Sequence, residues 1–247
     1  MKAGSWGAML LVGLVAALIG AGAVAGVRHF SPAGEKRGDM RQIVKDYLAQ
    51  HPDVLMEAAT AYRARDTAKL VGANRAAIVT PFGNAWAGNP RGDVTIVQYF
   101  DYNCGYCRRN LATLKLLIAR DPNIRVVFRE LPVLSQESEI AARYSLAAAA
   151  QGRFHQFHEA LYGAGPVSDA SIAAALQAAG IARDQADSAA NGERVDQEIT
   201  GNIAIMQKLG MTGTPSWVIG DQVVSSALSL DQLQAMVAEA RSSRRAG

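Results

Sequence analysis

Apolar and polar positions change rhythm several times along this chain. After Lys2 the residues from Ala3 to Val27 have no rhythm: they are uncharged and rich in Leu, Val, Ala and Gly, until Arg28 ends the run. Such a stretch predicts over 1–28 either an export signal, with Ala23-Val24-Ala25 as small residues for cleavage before Gly26, or a retained membrane anchor. Ser31 to Gly38 reads as a polar linker and Asp39 as a helix N-cap. Met40, Ile43, Val44, Tyr47 and Leu48 follow at helical spacing. Pro52 suits a helix's first turn but not its interior, so it opens a second helix. That helix carries the stripe Val54, Leu55, Ala58, Ala59 and Tyr62 and is predicted to run to about Val71. Such a stripe has to be covered. Its cover is either its own domain or further copies of itself, in which case residues 39–72 build a homo-oligomer.

Ile78 to Gly92 predicts a short strand and loop, punctuated by Pro81, Gly83, Gly88 and Pro90. A continuous apolar run from Val94 to Phe100 predicts a strand, and Leu111, Leu114, Leu117 and Ile118 a helix that Asp121-Pro122 closes. Ile124 to Glu130 then reads as the second strand of a βαβ unit. From Gln136 to Leu209 the pattern is helical: Ile140 to Ala150, Phe154 to Leu161, a helix capped by Ser168 and stopped by Gly180, and a last one through Val195, Ile199, Ile203 and Met206. After Pro215 an apolar strand begins, Gly220-Asp221 turns it, and Val223-Val224 pairs back. Ser229 caps a final helix. The order is strand, helix, strand, helical block, strand, strand, helix, an α/β arrangement.

With 247 residues there is room for one sizeable domain and a smaller appendage. The net charge of +3 is small and the basic residues form no long block, which argues against nucleic acid as a partner. The basic run Arg241 to Arg245 reads as a frayed, solvated tail. The two cysteines, Cys104 and Cys107, stand where the first strand gives way to its helix. The first N–H groups of a helix have no partner inside it and its dipole is positive there, so a thiolate at Cys104 is stabilised. Arg108 and Arg109 add positive charge, and Cys104 is expected to be exposed and easily ionised. Cys107, about one turn on, is placed to close a small ring or release a trapped mixed disulfide. A zinc site needs four ligands, and the other candidates, His155 and His158, lie far downstream on what reads as a surface helix with Phe154, Phe157 and Leu161 inward. A structural disulfide of so short a loop constrains little. A redox-active dithiol fits best, with no metal and no cofactor.

Phe100-Asp101-Tyr102-Asn103-Cys104-Gly105-Tyr106-Cys107 together with Gly213-Thr214-Pro215 resembles the DsbA family of exported thiol–disulfide oxidoreductases. Phe128-Arg129-Glu130-Leu131-Pro132 and Gly152-Arg153-Phe154 are similar to its Com1-like and ScsC-like branch. The resemblance implies a thioredoxin-like fold over 76–247 with a helical insertion at about 136–210, preceded by a helical segment over 29–75. It implies Cys104 as attacking thiol, Cys107 as resolving thiol, and Thr214-Pro215 as a cis bond against the dithiol, with Gly105 and Tyr106 completing the substrate-facing loop. The implied partners are cysteine-containing exported proteins and a membrane redox partner. The implied place is the periplasm or another extracytoplasmic space, with the N-terminal segment as signal or inner-membrane anchor. One departure stands out. This fold usually carries a buried acid six residues before the first cysteine, and here that position is Gln98. Glutamine cannot take a proton as a carboxylate does, leaving proton transfer to water or another group. Gly105-Tyr106 supplies no charge between the cysteines, so the dithiol should be less oxidising than that of DsbA, at about −120 mV. The expected activity is that of a disulfide isomerase or reductase. A DsbA-like oxidase is the alternative, and a copper- or zinc-binding thiol protein a more distant one.

Overall fold

The structure, a computed structural model, describes residues 33–246, so the Ala3–Val27 segment and the question of signal or anchor lie outside the described residues. Among the described residues no helix is long and apolar enough to cross a membrane. The chain divides into two units, Met1–Ala61 and Tyr62–Gly247.

In the first unit α1 (Ala33–Gln50) starts well before Asp39, so the expected linker is helical from Ala33 onward. Ala33, Glu35, Lys36 and Arg37 are good helix formers and outweigh the two glycines among them. Pro52 opens α2 (Pro52–Ala73) as its spacing predicts. Met40, Ile43, Val44, Tyr47, Leu55 and Met56 are 48–64% exposed, so this stripe is not covered.

In the second unit α3 (Arg75–Val79) stands where a strand was expected from Ile78, because Arg75-Ala76-Ala77 favours helix. The strands are β1 (Trp86–Gly88), β2 (Val94–Phe100), β3 (Ile124–Glu130), β4 (Ser216–Ile219) and β5 (Gln222–Val224), in the sheet order β1-β3-β2-β4-β5. Among the described residues only β2 and β3 run parallel, joined by α4 (Gly105–Arg120). Both are covered on both faces, as continuous apolar runs require. Ile96, Phe100, Val126 and Phe128 enter the larger core with Cys107, Leu114 and Phe157. Val97, Tyr99 and Val127 enter a second core with Val71, Ile78 and Leu209.

The helical block consists of α5 (Gln136–Ala150), α6 (Phe154–Gly163), α7 (Asp169–Ala179), α8 (Arg183–Ala190) and α9 (Glu193–Lys208). The short α8 has only buried alanines, Ala186 and Ala190, to mark its inner face, too faint a stripe to separate it in the sequence. Gly83 has φ +52°, and a Cβ there would lie 2.2 Å from the Ala149 oxygen, which fixes the close approach of the β1 loop to α5.

The frayed tail expected at Arg241 to Arg245 is instead part of α10 (Leu230–Ala246). Arg241 Nε donates to Asp93 Oδ2 at 2.8 Å and Nη1 to Asp121 Oδ2 at 2.7 Å, binding the helix to the loops that enter β2 and β3. The tail is ordered because its guanidinium has two carboxylates to bridge.

Candidate active site

β2 ends at Phe100, and the next four residues turn the chain into α4. Asp101 holds that turn. Its Oδ1 accepts from Asn103 N–H at 2.8 Å and Ser138 Oγ at 2.7 Å, its Oδ2 from Val133 and Leu134 N–H at 3.0 and 3.1 Å. Asn103 extends the tie, donating to Ser135 Oγ at 3.0 Å and accepting from Val167 N–H at 3.3 Å. These two residues fasten the cysteine loop to the start of α5 and to the loop before α7. Sequence reasoning gave neither a role, although Asp-x-Asn is an Asx-turn signature.

Cys104 is the N-cap of α4, and its sulfur accepts from Cys107 N–H at 3.2 Å. Thr214 O lies 3.2 Å from the same sulfur. The Thr214–Pro215 bond is cis. The Thr214 hydroxyl is buried and has no hydrogen-bond partner among the described residues. The Cys104 thiol is held down at about 6, first by the Cys107 thiol, then by the Thr214 hydroxyl and the N–H groups of Cys107 and Tyr106, against the opposing effect of burial. Burial pushes the Cys107 thiol up, and the neighbouring Cys104 sulfur adds to that rise. Both cysteines are free.

Cys104 does not have the open exposure expected of it: it is 5% exposed and Cys107 1%, while Tyr106 between them is 58% exposed. As N-cap its sulfur turns back over the helix end, which brings it to the N–H donors and away from water. Arg108 and Arg109 are engaged elsewhere, Arg108 Nη2 donating to Gly165 O at 2.5 Å and the Arg109 guanidinium lying 4.4 Å from the Tyr106 ring centre.

The histidines are not brought to the cysteines. His155 Nε2 lies 2.8 Å from Trp86 O. His158 is not on the surface: it is 2% exposed, stacked on Phe154 at 4.8 Å, with Nδ1 2.9 Å from Tyr102 Oη. Phe154, Phe157 and Leu161 do face inward. Gln98 is 3% exposed and its Nε2 has no partner among the described residues. A cavity of about 900 Å³ lined by Arg75, Arg125, Asp221 and Arg244 lies at the opposite end of the strands and contains neither cysteine.

Residues 95–238 match the DSBA-like thioredoxin domain family, and residues 37–69 match the Copper resistance protein ScsC N-terminal domain. A thioredoxin-like oxidoreductase from Silicibacter pomeroyi DSS-3 is 39% identical with a TM-score of 0.66, over 68% of this chain and 98% of that one. The thiol-disulfide exchange protein alpha-DsbA2 from Wolbachia pipientis is 29% identical with a TM-score of 0.64, over 72% of this chain and 97% of that one. The Na(+)/H(+) antiporter NhaA 3 of Salinispora tropica is 32% identical over 111 residues, 42% of this chain. The matched stretches span only 17% and 11% of the curated antiporters they align with.

Proposed function

Because this chain belongs to the DSBA-like thioredoxin domain family, and to its ScsC-like branch, we propose that it is an exported protein thiol–disulfide oxidoreductase working in the isomerase or reductase direction. The observation that carries the reading is the unequal pair: a Cys104 thiol held at about 6 beside a Cys107 thiol pushed well up. The Cys104 thiolate attacks a substrate disulfide, forms a mixed disulfide and releases one substrate thiolate. That thiolate then attacks another disulfide of the substrate, the thiolate so released attacks the substrate sulfur of the mixed disulfide, and Cys104 leaves as thiolate, which is isomerisation. Otherwise Cys107 gives up its proton and attacks the Cys104 sulfur, releasing reduced substrate and closing the Cys104–Cys107 bond. Thr214, Pro215, Gly105 and Tyr106 form the rim at which an extended substrate chain lies.

The substrates are cysteine-containing exported proteins, a membrane redox partner returns the dithiol to its reduced form, and the place of action is the periplasm or another extracytoplasmic space. The supports are the uncharged Ala3–Val27 segment and the dithiol itself. The exposed stripe on α1 and α2 supports assembly of copies through residues 39–72. Refolding of scrambled ribonuclease tests the activity. Reshuffling by the wild type and none by Cys104→Ala is expected; an inactive wild type, or a fully active C104A, defeats the reading.

The lowered Cys104 thiol also favours a second reading, a DsbA-like oxidase, since a stabilised thiolate favours the reduced form. The reduction potential decides: a value well below about −120 mV supports isomerase or reductase, and one at or above it supports oxidase.

A further inference from the structure

We propose that Glu130 is the proton-supplying residue of this dithiol, acting on Cys107 through the groups between them. The inference rests on the thiol–disulfide reading above.

Glu130 ends β3 opposite Phe100, on the face that Val126 and Phe128 share, and that face looks into the core containing Cys107. It is 2% exposed, and neither carboxyl oxygen has a hydrogen-bond partner among the described residues. A buried acid without a partner is costly to keep, so packing and pairing do not account for it. Gln98, opposite Phe128 on β2, shares the same face but carries no exchangeable acid proton. Burial keeps the Glu130 carboxyl protonated far above its usual range; nearby Ser145 opposes this, while Asp101 and Glu198 add to it. Arg129 lies on the other face of β3 and pairs with Glu198.

Hydroxyl groups stand near this acid without bonding to it. Tyr162 on α6 is 5% exposed, donates to Asp101 O at 3.1 Å, and has its phenol pushed up by burial and by Cys107, Tyr102 and Glu130. Ser145 on α5 lies 2.8 Å from Tyr102 Oη, which lies 2.9 Å from His158 Nδ1. Burial keeps His158 neutral, with its pKa lowered to about 3, and His155 and Lys115 press the same way. Ser145, Tyr102 and His158 thus form a buried hydrogen-bonded row.

A substrate thiolate attacks Cys104 in the Cys104–Cys107 disulfide, and the breaking bond leaves its electron pair on the Cys107 sulfur. The Glu130 proton passes to that sulfur, giving a Cys107 thiol and a Glu130 carboxylate. In the opposite direction the carboxylate takes the proton as Cys107 attacks. Burial makes a free Cys107 thiolate unfavourable, so a proton waiting at hand lowers the barrier.

The test uses the full chain as wild type, Glu130→Gln and the double variant Gln98→Glu/Glu130→Gln. The rate at which dithiothreitol reduces the Cys104–Cys107 disulfide is measured per thiolate from about pH 5 to about pH 10, a range that brackets known buried glutamates. The wild-type rate is expected to hold at low pH and fall as Glu130 ionises. E130Q should be roughly a hundredfold slower at low pH, without the break, and the double variant should regain the break. A break that persists in E130Q, or an undiminished E130Q rate, overturns the inference. Should E130Q not fold, a wild-type rate without any break overturns it equally. A wild type that performs no exchange at Cys104 defeats the underlying reading, and this inference with it.

Discussion

At Cys104 the same geometry that shields the sulfur also acidifies it. The N-cap position takes the sulfur out of water and sets it beside the Cys107 thiol and the helix's N–H donors; the Cys107 thiol first, then the Thr214 hydroxyl and those N–H groups, prevail over burial, leaving the thiol at about 6. Alkylation by iodoacetamide should therefore show one fast cysteine with a midpoint near pH 6, assigned to Cys104 by its loss in C104A; a midpoint at the ordinary thiol value of about 8.5 would contradict this. Asp101 accepts four hydrogen bonds, three of which join the cysteine loop to the segment after β3. Asp101→Ala leaves the Val133 and Leu134 N–H groups without partners and should cost about 3 kcal/mol in urea unfolding. Glu130 has the opposite balance. Its folded pKa is raised above the unfolded one, so the folded state binds its proton more tightly and loses stability as pH rises above the ordinary glutamate range. Glu130→Gln should thus be more stable than wild type at neutral pH and equal to it in strong acid, a comparison that denaturant titration at two pH values settles.

Among the elements, those with strong periodicity were legible and those set by tertiary contacts were not. β2, β3 and α4 match their apolar patterns because each buries a long, regular stripe. The hairpin after Pro215 and the Ser168 and Ser229 caps were equally plain, since turn and cap chemistry is local. The start of α1 and the helical nature of Arg75–Val79 were missed because propensity there outweighed punctuation. His158 was misplaced to the surface because its burial depends on Tyr102, 56 positions away, which no local pattern reveals. The cysteine pair and the Thr214-Pro215 bond could be read from the motif, while Asp101 and Glu130 emerge only once strands and helices are assembled. The C-terminal helix belongs with the misses: Arg241 bridges Asp93 and Asp121 and lowers both carboxyls. Arg241→Ala should cost about 1 kcal/mol. Since those carboxyls titrate below their unfolded values, the bridge stabilises above the ordinary aspartate range and its contribution disappears as pH falls through the lowered pKa. A wild-type advantage over R241A that persists in strong acid or in molar salt would refute this account.

For the whole molecule, the exposed Ile43, Tyr47 and Leu55 are the residues to alter. The double variant Ile43→Glu/Leu55→Glu should lower the mass measured by light scattering while leaving the Cys104 alkylation midpoint unchanged; an unaltered mass removes residues 39–72 as an assembly device. The sheet adds a consequence of a different kind. Its two outermost rungs, β1 and β5, are only three residues each. An unfolded client looking for a rail to zip onto finds almost none. Under the proposed function, the molecule thus holds half-made proteins briefly by sulfur without being recruited, backbone to backbone, into their aggregates.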